Sequence, residues 1–251
     1  MSLFRKFFRK SPRLPEAVPF DAPIEPSKLF YAIGDIHGCM EKLTLLLDRI
    51  EQQDEQPTII CVGDFIDRGE DSAPVLRHLK SLTDQLGDRF VCLIGNHENM
   101  CLQFLDEPEE RGDRWLRYGG LQTLASFGIG RSPKDDLRQV RDALAKAMGD
   151  DLIDWMRNLP AYWITGNIAV THAGADPNLP IGNQSGRNLM WGHPDFPHTP
   201  RADGMWVLHG HTVVDHPSAQ DGRIAIDTGA YATGRLTAAR VSRDGVTFLT
   251  V

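Results

Sequence analysis

One local pattern occurs three times before residue 100, and it constrains the fold more than any other feature of the sequence. In each copy a short apolar run ends at a glycine that is followed directly by Asp or Asn. The runs are residues 29–33, 58–62 and 89–94, and they end at Gly34-Asp35, Gly63-Asp64 and Gly95-Asn96. Apolar residues at helical spacing predict helices over 40–53 and 72–86. Units of this kind build a mainly parallel sheet that is covered by helices.

The rest of the chain predicts a second group of strands and a helical insertion. Residues 106–160 are charged, contain Gly119-Gly120 and include a predicted helix over 135–148, so we interpret them as a small helical cap. Segment 176–201 is rich in Gly, Pro and Asn, which is typical of a loop. Further strands are predicted at 162–165, 168–171, 206–209, 223–226, 236–241 and 246–251, and we expect this half to be antiparallel. The predicted fold class is α/β, with two mixed β-sheets packed as a sandwich and flanked by helices in one domain over 28–251.

Composition and charge exclude several classes of protein. The 251 residues are 41% hydrophobic and 24% charged, as in an ordinary globular protein, and no apolar run is long enough to cross a bilayer. The net charge of −7 argues against a nucleic-acid partner. Residues 1–13 hold five basic side chains and no acid, which leaves 22 basic and 34 acidic side chains, a net charge of −12, over 14–251. Such an acidic body would repel polyphosphates unless bound divalent cations reversed the local field.

The N-terminal tail and the cysteines are the sequence features that bear on the cellular location of the protein. Residues 1–27 form a basic, Pro-rich tail, and its interleaved Phe residues could make a weak membrane or partner contact. We found no signal peptide, and the four cysteines form no CxxC pair, so we expect reduced thiols in a cytoplasmic protein. These cysteines are expected to be small core residues. The sequence leaves the oligomeric state open.

Polar residues cluster directly after the predicted strands. The first three clusters are Gly34-Asp35-Ile36-His37-Gly38, Gly63-Asp64-Phe65-Ile66-Asp67-Arg68-Gly69 and Gly95-Asn96-His97-Glu98, and two later ones are Thr171-His172-Ala173-Gly174 and His209-Gly210-His211-Thr212. Mixed oxygen and nitrogen donors suit Mn²⁺, Fe²⁺ or Zn²⁺ better than Ca²⁺ or Cu⁺. One carboxylate can bridge two such ions, and the central Asp64 is expected to be that ligand. Each motif alone is weak, but five of them at strand ends predict a metal centre.

These motifs resemble the calcineurin-like metallophosphoesterase superfamily and, more narrowly, its phosphoprotein phosphatase family of bacterial and bacteriophage lambda type. The resemblance covers residues 29–251 and implies the metallophosphoesterase fold with two divalent cations, Mn²⁺ first, with Fe or Zn as alternatives. It implies that Asp35, His37 and Asp64 hold one ion and that Asp64, Asn96, His172 and His211 hold the other. By the same resemblance, Arg68 binds the phosphate, His97 is the general acid and Asp67 orients it.

Three details bear on the branch of the family. Symmetrical diadenosine tetraphosphate hydrolases resemble this chain and share its opening motif, but they usually lack an aspartate at the position of Asp67 and have Asp instead of Glu98. Both residues therefore favour a phosphatase. The phage enzyme has a second phosphate-binding arginine shortly after a tryptophan, and this sequence has His193 at that position. Either His193 binds the substrate, or one of three arginines does so instead: Arg117, Arg187 or Arg201. His209 and Trp115 are interpreted as packing residues.

The resulting hypothesis is a metal-dependent phosphomonoester hydrolase, specifically a serine/threonine protein phosphatase. Hydroxide held between two cations would attack phosphorus in line while His97 protonates the leaving oxygen. The expected partner is a phosphorylated protein or a small phosphoester. The alternative is a symmetrical dinucleoside polyphosphate hydrolase. A binding module that has lost the chemistry is a third class, and it predicts missing ligands that the sequence in fact retains.

Overall fold

The computed structural model describes residues 20–132 and 134–251, and the interpretation of the basic tail falls mostly outside these ranges. Two five-stranded sheets pack face to face, and helices cover the outer face of the first sheet. This arrangement confirms the α/β sandwich with two mixed sheets. No helix in the described ranges has the length and apolar character required to span a membrane.

The first sheet has the strand order β10-β9-β1-β2-β3. These strands are β1 (Phe30–Ile33), β2 (Thr58–Cys61), β3 (Phe90–Cys92), β9 (Thr237–Ser242) and β10 (Gly245–Thr250). The three repeated units form its parallel half, with β1 paired to β2 and β2 to β3. Strand β9 lies antiparallel to β1, so the last hairpin of the chain returns to the first sheet.

The second sheet has the order β4-β5-β6-β8-β7. These strands are β4 (Tyr162–Thr165), β5 (Ile168–Thr171), β6 (Trp206–His209), β7 (Ser218–Gln220) and β8 (Arg223–Ala225). The expectation of an antiparallel second half is confirmed for the pairs β4–β5, β7–β8 and β9–β10, and is wrong for β5, β6 and β8, which are parallel neighbours. Long connections between these strands let the chain return to the starting edge, which parallel pairing requires. The short, partly exposed edge strand β7 was not predicted.

The helices fall into three groups. The repeated units contribute α1 (Met40–Gln53), α2 (Ser72–Leu86) and α3 (Asn96–Asp106). The cap contains α4 (Pro108–Trp115), α5 (Leu121–Ser126), α6 (Leu137–Met148) and α7 (Asp150–Arg157), with a π-helical turn over Leu116–Gly120. The second half adds α8 (Gly186–Trp191) and α9 (Ala230–Thr233). Helix α8 lies inside the predicted loop; its first turn is capped by the Ser185 hydroxyl, which accepts a hydrogen bond from the Asn188 N–H.

Two apolar layers hold the parallel strands in place. Alternate residues of β1 face opposite sides, so Phe30 and Ala32 pack between the two sheets while Tyr31 and Ile33 pack against the helices. Cys61, Cys92 and Cys101 are buried in these layers, whereas Cys39 is half-buried. Because the strands are fixed on both faces, the loops at their carboxyl ends leave the sandwich at defined positions. Those loops carry all the polar motifs found in the sequence.

Candidate metal centre and active site

Loops from both sheets meet at one edge of the sandwich, and their backbone is tightly constrained. His37, Asp64, Asp67, Arg68 and His211 all have positive φ, between 43° and 71°. Non-glycine residues rarely adopt this conformation, and where they do the surrounding structure must hold it. The flanking glycines explain part of the constraint: a Cβ on Gly210 would collide with the Asp35 carboxylate, and one on Gly95 would collide with Asp64. The glycines are therefore required for the close approach of these loops.

Asp64 lies at the middle of the predicted ligands. Its Oδ1 accepts a hydrogen bond from the backbone N–H of His97 at 3.0 Å and lies 3.3 Å from His172 Nε2. Its Oδ2 lies 3.6 Å from His37 Nε2 and 3.9 Å from His97 Nε2. All four side chains are almost completely buried. The carboxylate therefore faces imidazoles from three other strand-end loops, which is the position a bridging ligand requires.

The predicted second set of ligands is equally compact. Asn96 Oδ1 lies 2.9 Å from His172 Nε2 and 2.8 Å from His211 Nδ1, and the two imidazole nitrogens are 3.2 Å apart. Asp35 joins the set through its carboxylate, which accepts the backbone N–H of His211 at 3.0–3.1 Å. The structure thus brings together all six residues predicted as metal ligands.

Burial and the neighbouring charges determine the protonation of the cluster. Burial raises the pKa of the Asp35 carboxyl well above its usual range, and the nearby Asp227 raises it further. Burial also lowers the pKa of His37 to about 3 and of His211 to about 4. Burial opposes ionisation of Asp64 as well, but the surrounding imidazoles hold its pKa well below the usual value. The cluster therefore combines an ionised central carboxylate with the imidazoles of His37 and His211 in the neutral form that binds a cation.

His172 differs from the other two imidazoles. Burial opposes its charging, yet the carboxylates of Asp64, Asp35 and Glu98 raise its pKa to about 9. A proton on His172 thus balances the negative charge that the carboxylates concentrate in this buried region. A divalent cation would balance the same charge, and it would displace that proton when the imidazole nitrogen binds it.

The donor set fits divalent cations. Two groups of side chains, one made of His37, Asp64 and His97 and the other of Asp64, His172 and His211, have ligand atoms that all lie within 4.8 Å of one another. Both groups contain Asp64, so two sites would share one carboxylate. Carboxylate and imidazole ligands in such numbers are typical of Mn²⁺, Fe²⁺ and Zn²⁺ sites.

Asp67 and His97 form a buried pair beside this cluster. His97 Nδ1 lies 2.7 Å from Asp67 Oδ2, and neither side chain is exposed. The hydrogen bond to Nδ1 leaves His97 Nε2 facing Asp64 and the predicted metal sites. Burial lowers the pKa of His97, but the charges of Asp64 and Asp67 outweigh it, so the net shift is upward. A protonated imidazole at neutral pH is what a general acid requires.

The cap holds the Asp67 carboxylate, a role that sequence analysis missed. The indole N–H of Trp115 donates to both carboxylate oxygens at 3.0 and 3.1 Å, and the Thr123 hydroxyl donates to Oδ1 at 2.6 Å. Thr123 also accepts the backbone N–H of Asp67. Trp115 is fully buried, as expected for a packing residue, but its spacing in the sequence does not predict this hydrogen bond. The cap therefore fixes the carboxylate that is bonded to His97, as well as covering the core.

Replacing Trp115 with phenylalanine is expected to lower kcat by about tenfold while KM changes by less than twofold. Phenylalanine keeps the stacking on Phe104 (ring centroids 4.9 Å apart) but removes the N–H donated to Asp67. A hydrogen bond to a charged group is worth ~1.5–3 kcal/mol, and tenfold in rate corresponds to ~1.4 kcal/mol. The matched control is Trp155→Phe, since Trp155 stacks on Phe65 and makes no described contact with Asp67. Equal losses in both variants would show that the indole only fills space.

Arg68 lies at the open side of the cluster. It is half-buried, its Nη1 is 3.2 Å from His37 Nε2, and its guanidinium stacks 4.8 Å from the ring centre of Tyr231. The aromatic ring limits the guanidinium to one orientation, with donors toward the cluster. Tyr231 was not identified from the sequence, because it lies in the four-residue helix α9, which carries no motif.

Glu98 has a structural role at the centre. Its carboxylate accepts the backbone N–H groups of Asp64, Phe65 and Gly95 at 2.7–3.0 Å, so it ties the second and third loops together. Burial and the charge of Asp64 raise the pKa of Glu98 to about 7. From the sequence alone, Glu98 served only to distinguish one branch of the family from another. A glutamate three residues after the residue that precedes a helix typically bonds back to the backbone N–H at the helix start. The position of Glu98 relative to Gly95 could therefore have predicted part of this role.

The side chains of the other candidates make no hydrogen bond or ion pair with the predicted ligands within the described residues. His193 is 3.7 Å from Asp176 and 4.0 Å from Asp195 and has no described contact with the predicted ligands. Arg201 is nearly buried and bonds Asp203 and two backbone carbonyls. His209 packs edge-on against Phe196, as expected for a core residue. Arg117 is exposed on the π-helical turn, and Arg187 lines a cleft beside Trp191.

The sandwich fold and the buried Asp–His cluster define a metal-dependent phosphoesterase. The chain belongs to the calcineurin-like phosphoesterase family, whose family model matches residues 28–215. It is 35% identical over 150 residues to the symmetrical bis(5'-nucleosyl)-tetraphosphatase of Pseudomonas fluorescens (strain SBW25), covering 59% of this chain and 43% of that protein. It is 31% identical over 165 residues to the protein of the same name from Pectobacterium carotovorum, covering 63% and 48% respectively.

Similarity to solved structures concerns the fold alone. A protein serine/threonine phosphatase from Saccharomyces cerevisiae superposes with a TM-score of 0.60 at 17% identity, covering 92% of this chain and 83% of that one. The alignments with the two bis(5'-nucleosyl)-tetraphosphatases span less than half the length of those proteins. The family and its metal-dependent phosphoesterase chemistry are therefore established.

Proposed function

We propose that this chain is a two-metal hydrolase of dinucleoside polyphosphates that cleaves diadenosine tetraphosphate symmetrically into two ADP molecules. The observation that carries the chemistry is Asp64, one buried carboxylate facing imidazoles from three other strand-end loops. The substrate class is supported by the 31–35% identity to symmetrical bis(5'-nucleosyl)-tetraphosphatases. This was the alternative in the sequence analysis, and the curated relatives favour it over a protein phosphatase.

The residues divide into holding, binding and proton-transfer groups. Asp35, His37 and Asp64 would hold one cation, and Asp64, Asn96, His172 and His211 would hold the other. Bound there, divalent cations such as Mn²⁺ supply charge neutralisation and acidify water. Arg68, oriented by Tyr231, binds phosphate oxygens through its planar N–H donors. His97 Nε2 gives its proton to the oxygen that leaves phosphorus, while Asp67 holds Nδ1–H.

A second candidate is a serine/threonine protein phosphatase, and the Asp67–His97 pair specifically favours it. A serine oxygen is a far more basic leaving group than the phosphate oxygen of a nucleotide. It therefore gains more from a positioned proton donor, and the structure provides a buried one with a raised pKa. The same pair can protonate a nucleotide phosphate, so this observation supports the second candidate without opposing the first.

Turnover on a substrate panel separates the two proposals. With Mn²⁺ present, we expect kcat/KM for diadenosine tetraphosphate to exceed that for a phosphoserine peptide by about tenfold or more, a difference of ~1.4 kcal/mol in transition-state binding. Chromatography should show two ADP per dinucleotide. Release of inorganic phosphate from the peptide without ADP formation would contradict the dinucleotide proposal and support the phosphatase. Mn²⁺, Fe²⁺ and Zn²⁺ are compared in the same assay to identify the most active metal.

A further inference from the structure

A cleft of about 600 Å³ opens beside the metal centre, where helices α3, α4 and α8 meet. Its polar and aromatic lining consists of Asn99, Gln103, Arg111, Arg114, Arg187 and Trp191. This volume lies within the range of ~300–1,000 Å³ that is typical of small-molecule sites. No role in the chemistry described above has been given to this cleft.

The cleft lies next to the predicted active site. Asn99 and Gln103 follow Asn96 on α3 by three and seven positions, which places all three on one face of the helix. Gln103 donates to the Asn99 side chain at 3.1 Å, so the two amides form one polar strip. At the inner end, the Trp191 ring lies 6.4 Å from the ring of His211. A ligand bound at the metals would thus continue for ~10 Å along α3.

The charge of the cleft is opposite to that of its surroundings. Its described lining holds three arginines and no acid, whereas residues 14–251 as a whole carry a net charge of −12. Arg111 is paired with Glu107 at 2.9 Å. Arg114 and Arg187 have no carboxylate within 4.0 Å among residues 20–132 and 134–251, and both are exposed. An exposed, unpaired cluster of positive charge in an acidic protein attracts anions to that point.

Trp191 fixes part of this cluster. The Arg114 guanidinium lies 4.7 Å from the Trp191 ring centre, so its orientation is set by the aromatic face. A planar guanidinium carries its N–H donors along its edge, where they can bind phosphate oxygens in pairs. Arg187 is the second residue of the short helix α8 that ends in Trp191, so the two arginines line the cleft from two different helices.

We propose that this cleft binds the part of a polyphosphate chain that extends beyond the cleaved bond. The inference rests on the proposed hydrolysis of dinucleoside polyphosphates, and it assigns the residues that select a chain of phosphates over a single phosphoester. Arg114 and Arg187 supply the charge-assisted hydrogen bonds, and the Asn99–Gln103 strip supplies neutral donors. A simple phosphomonoester occupies only the metal centre and gains nothing from the cleft.

The test compares Arg114→Gln and Arg187→Gln with wild type as full-length, Mn²⁺-loaded enzymes. The readout is kcat/KM for diadenosine tetraphosphate divided by kcat/KM for p-nitrophenyl phosphate, and we expect each variant to lower this ratio by about 10-fold or more, as loss of a charge-assisted hydrogen bond implies. The control is Arg49→Gln, since Arg49 is exposed on α1 and its side chain bonds, within the described part of the chain, the Thr250 carbonyl alone. The second readout is the inhibition constant of tripolyphosphate for p-nitrophenyl phosphate hydrolysis, measured with Mn²⁺ in excess. It is compared with the inhibition constant of orthophosphate in the same assay.

The outcomes separate this inference from the proposed function. If wild type does not cleave the dinucleotide, the proposed function is wrong. Tripolyphosphate inhibition then tests separately whether the cleft binds a polyphosphate chain. A tripolyphosphate inhibition constant that rises about tenfold in both variants, with orthophosphate inhibition the same as in the Arg49 variant, supports the cleft. A substrate ratio and inhibition constants within twofold of wild type would overturn it. A loss confined to an acidic phosphopeptide would also overturn it, because the cleft would then serve a protein substrate.

Discussion

Replacing Asp64 with asparagine is expected to abolish hydrolysis and metal binding together. The side chain keeps its size but loses the charge that faces His37, His97 and His172 at 3.3–3.9 Å. A neutral amide cannot bridge two cations, so both predicted sites lose a ligand at once. We expect kcat/KM to fall by about 1,000-fold or more, because both metal activation and charge stabilisation are removed. Bound metal per chain, measured by elemental analysis after gel filtration, should fall from about two toward zero.

Thermal unfolding provides a readout of the same site that does not depend on turnover. A ligand that binds only the folded state stabilises it by ~2.7 kcal/mol at 100 times its Kd. Added Mn²⁺ should therefore raise the Tm of wild type, and the shift should disappear in Asp64→Asn. The matched control is Asp84→Asn, since Asp84 is exposed and Lys80 is its one ion-pair partner among the residues that the structure describes. Two ions bound to a folded Asp64→Asn chain would show that Asp64 does not bridge the sites.

The ligand residues could be predicted from the sequence because their positions follow from local rules. An apolar strand that ends at glycine and continues with Asp or Asn marks the carboxyl end of a parallel strand, and such ends share one edge of a sheet. The structure places Asp35, Asp64 and Asn96 in that way. The glycines were informative because a side chain at Gly95 would collide with Asp64 and one at Gly210 would collide with Asp35.

The features that were missed depend on contacts between distant segments. The direction of β6 relative to β5 is decided by the path of the connection between them, and nothing in the strands themselves encodes it. Similarly, the hydrogen bond from Trp115 to Asp67 joins residues 48 positions apart, and a buried tryptophan looks the same in sequence whether or not its N–H has a functional partner. The cleft beside Trp191 depends on α8, a helix of six residues that is too short to show a periodic pattern.

Replacing His97 with asparagine is expected to lower kcat by about 100-fold while both metal ions stay bound. The amide can still donate an N–H toward Asp67, but it cannot give an acidic proton from the position of Nε2, which lies 3.9 Å from Asp64 Oδ2. Loss of a general acid typically costs ~10²–10⁴ in rate. The metal content should stay close to wild type, in contrast to Asp64→Asn. The matched control is His78→Asn, since His78 is half-buried in α2 outside the centre.

The leaving group decides whether the lost activity reflects proton donation. Phenolate needs a proton to leave more than p-nitrophenolate does, so the His97→Asn loss should be larger for phenyl phosphate than for p-nitrophenyl phosphate. If His97 only held the fold or a metal, both substrates would lose the same factor, because the leaving oxygen would not sense the substitution. Equal losses, or wild-type turnover, would therefore contradict the assignment of His97 as proton donor. In that case the buried contact with Asp67, at 2.7 Å, would have to serve the structure of the loops alone.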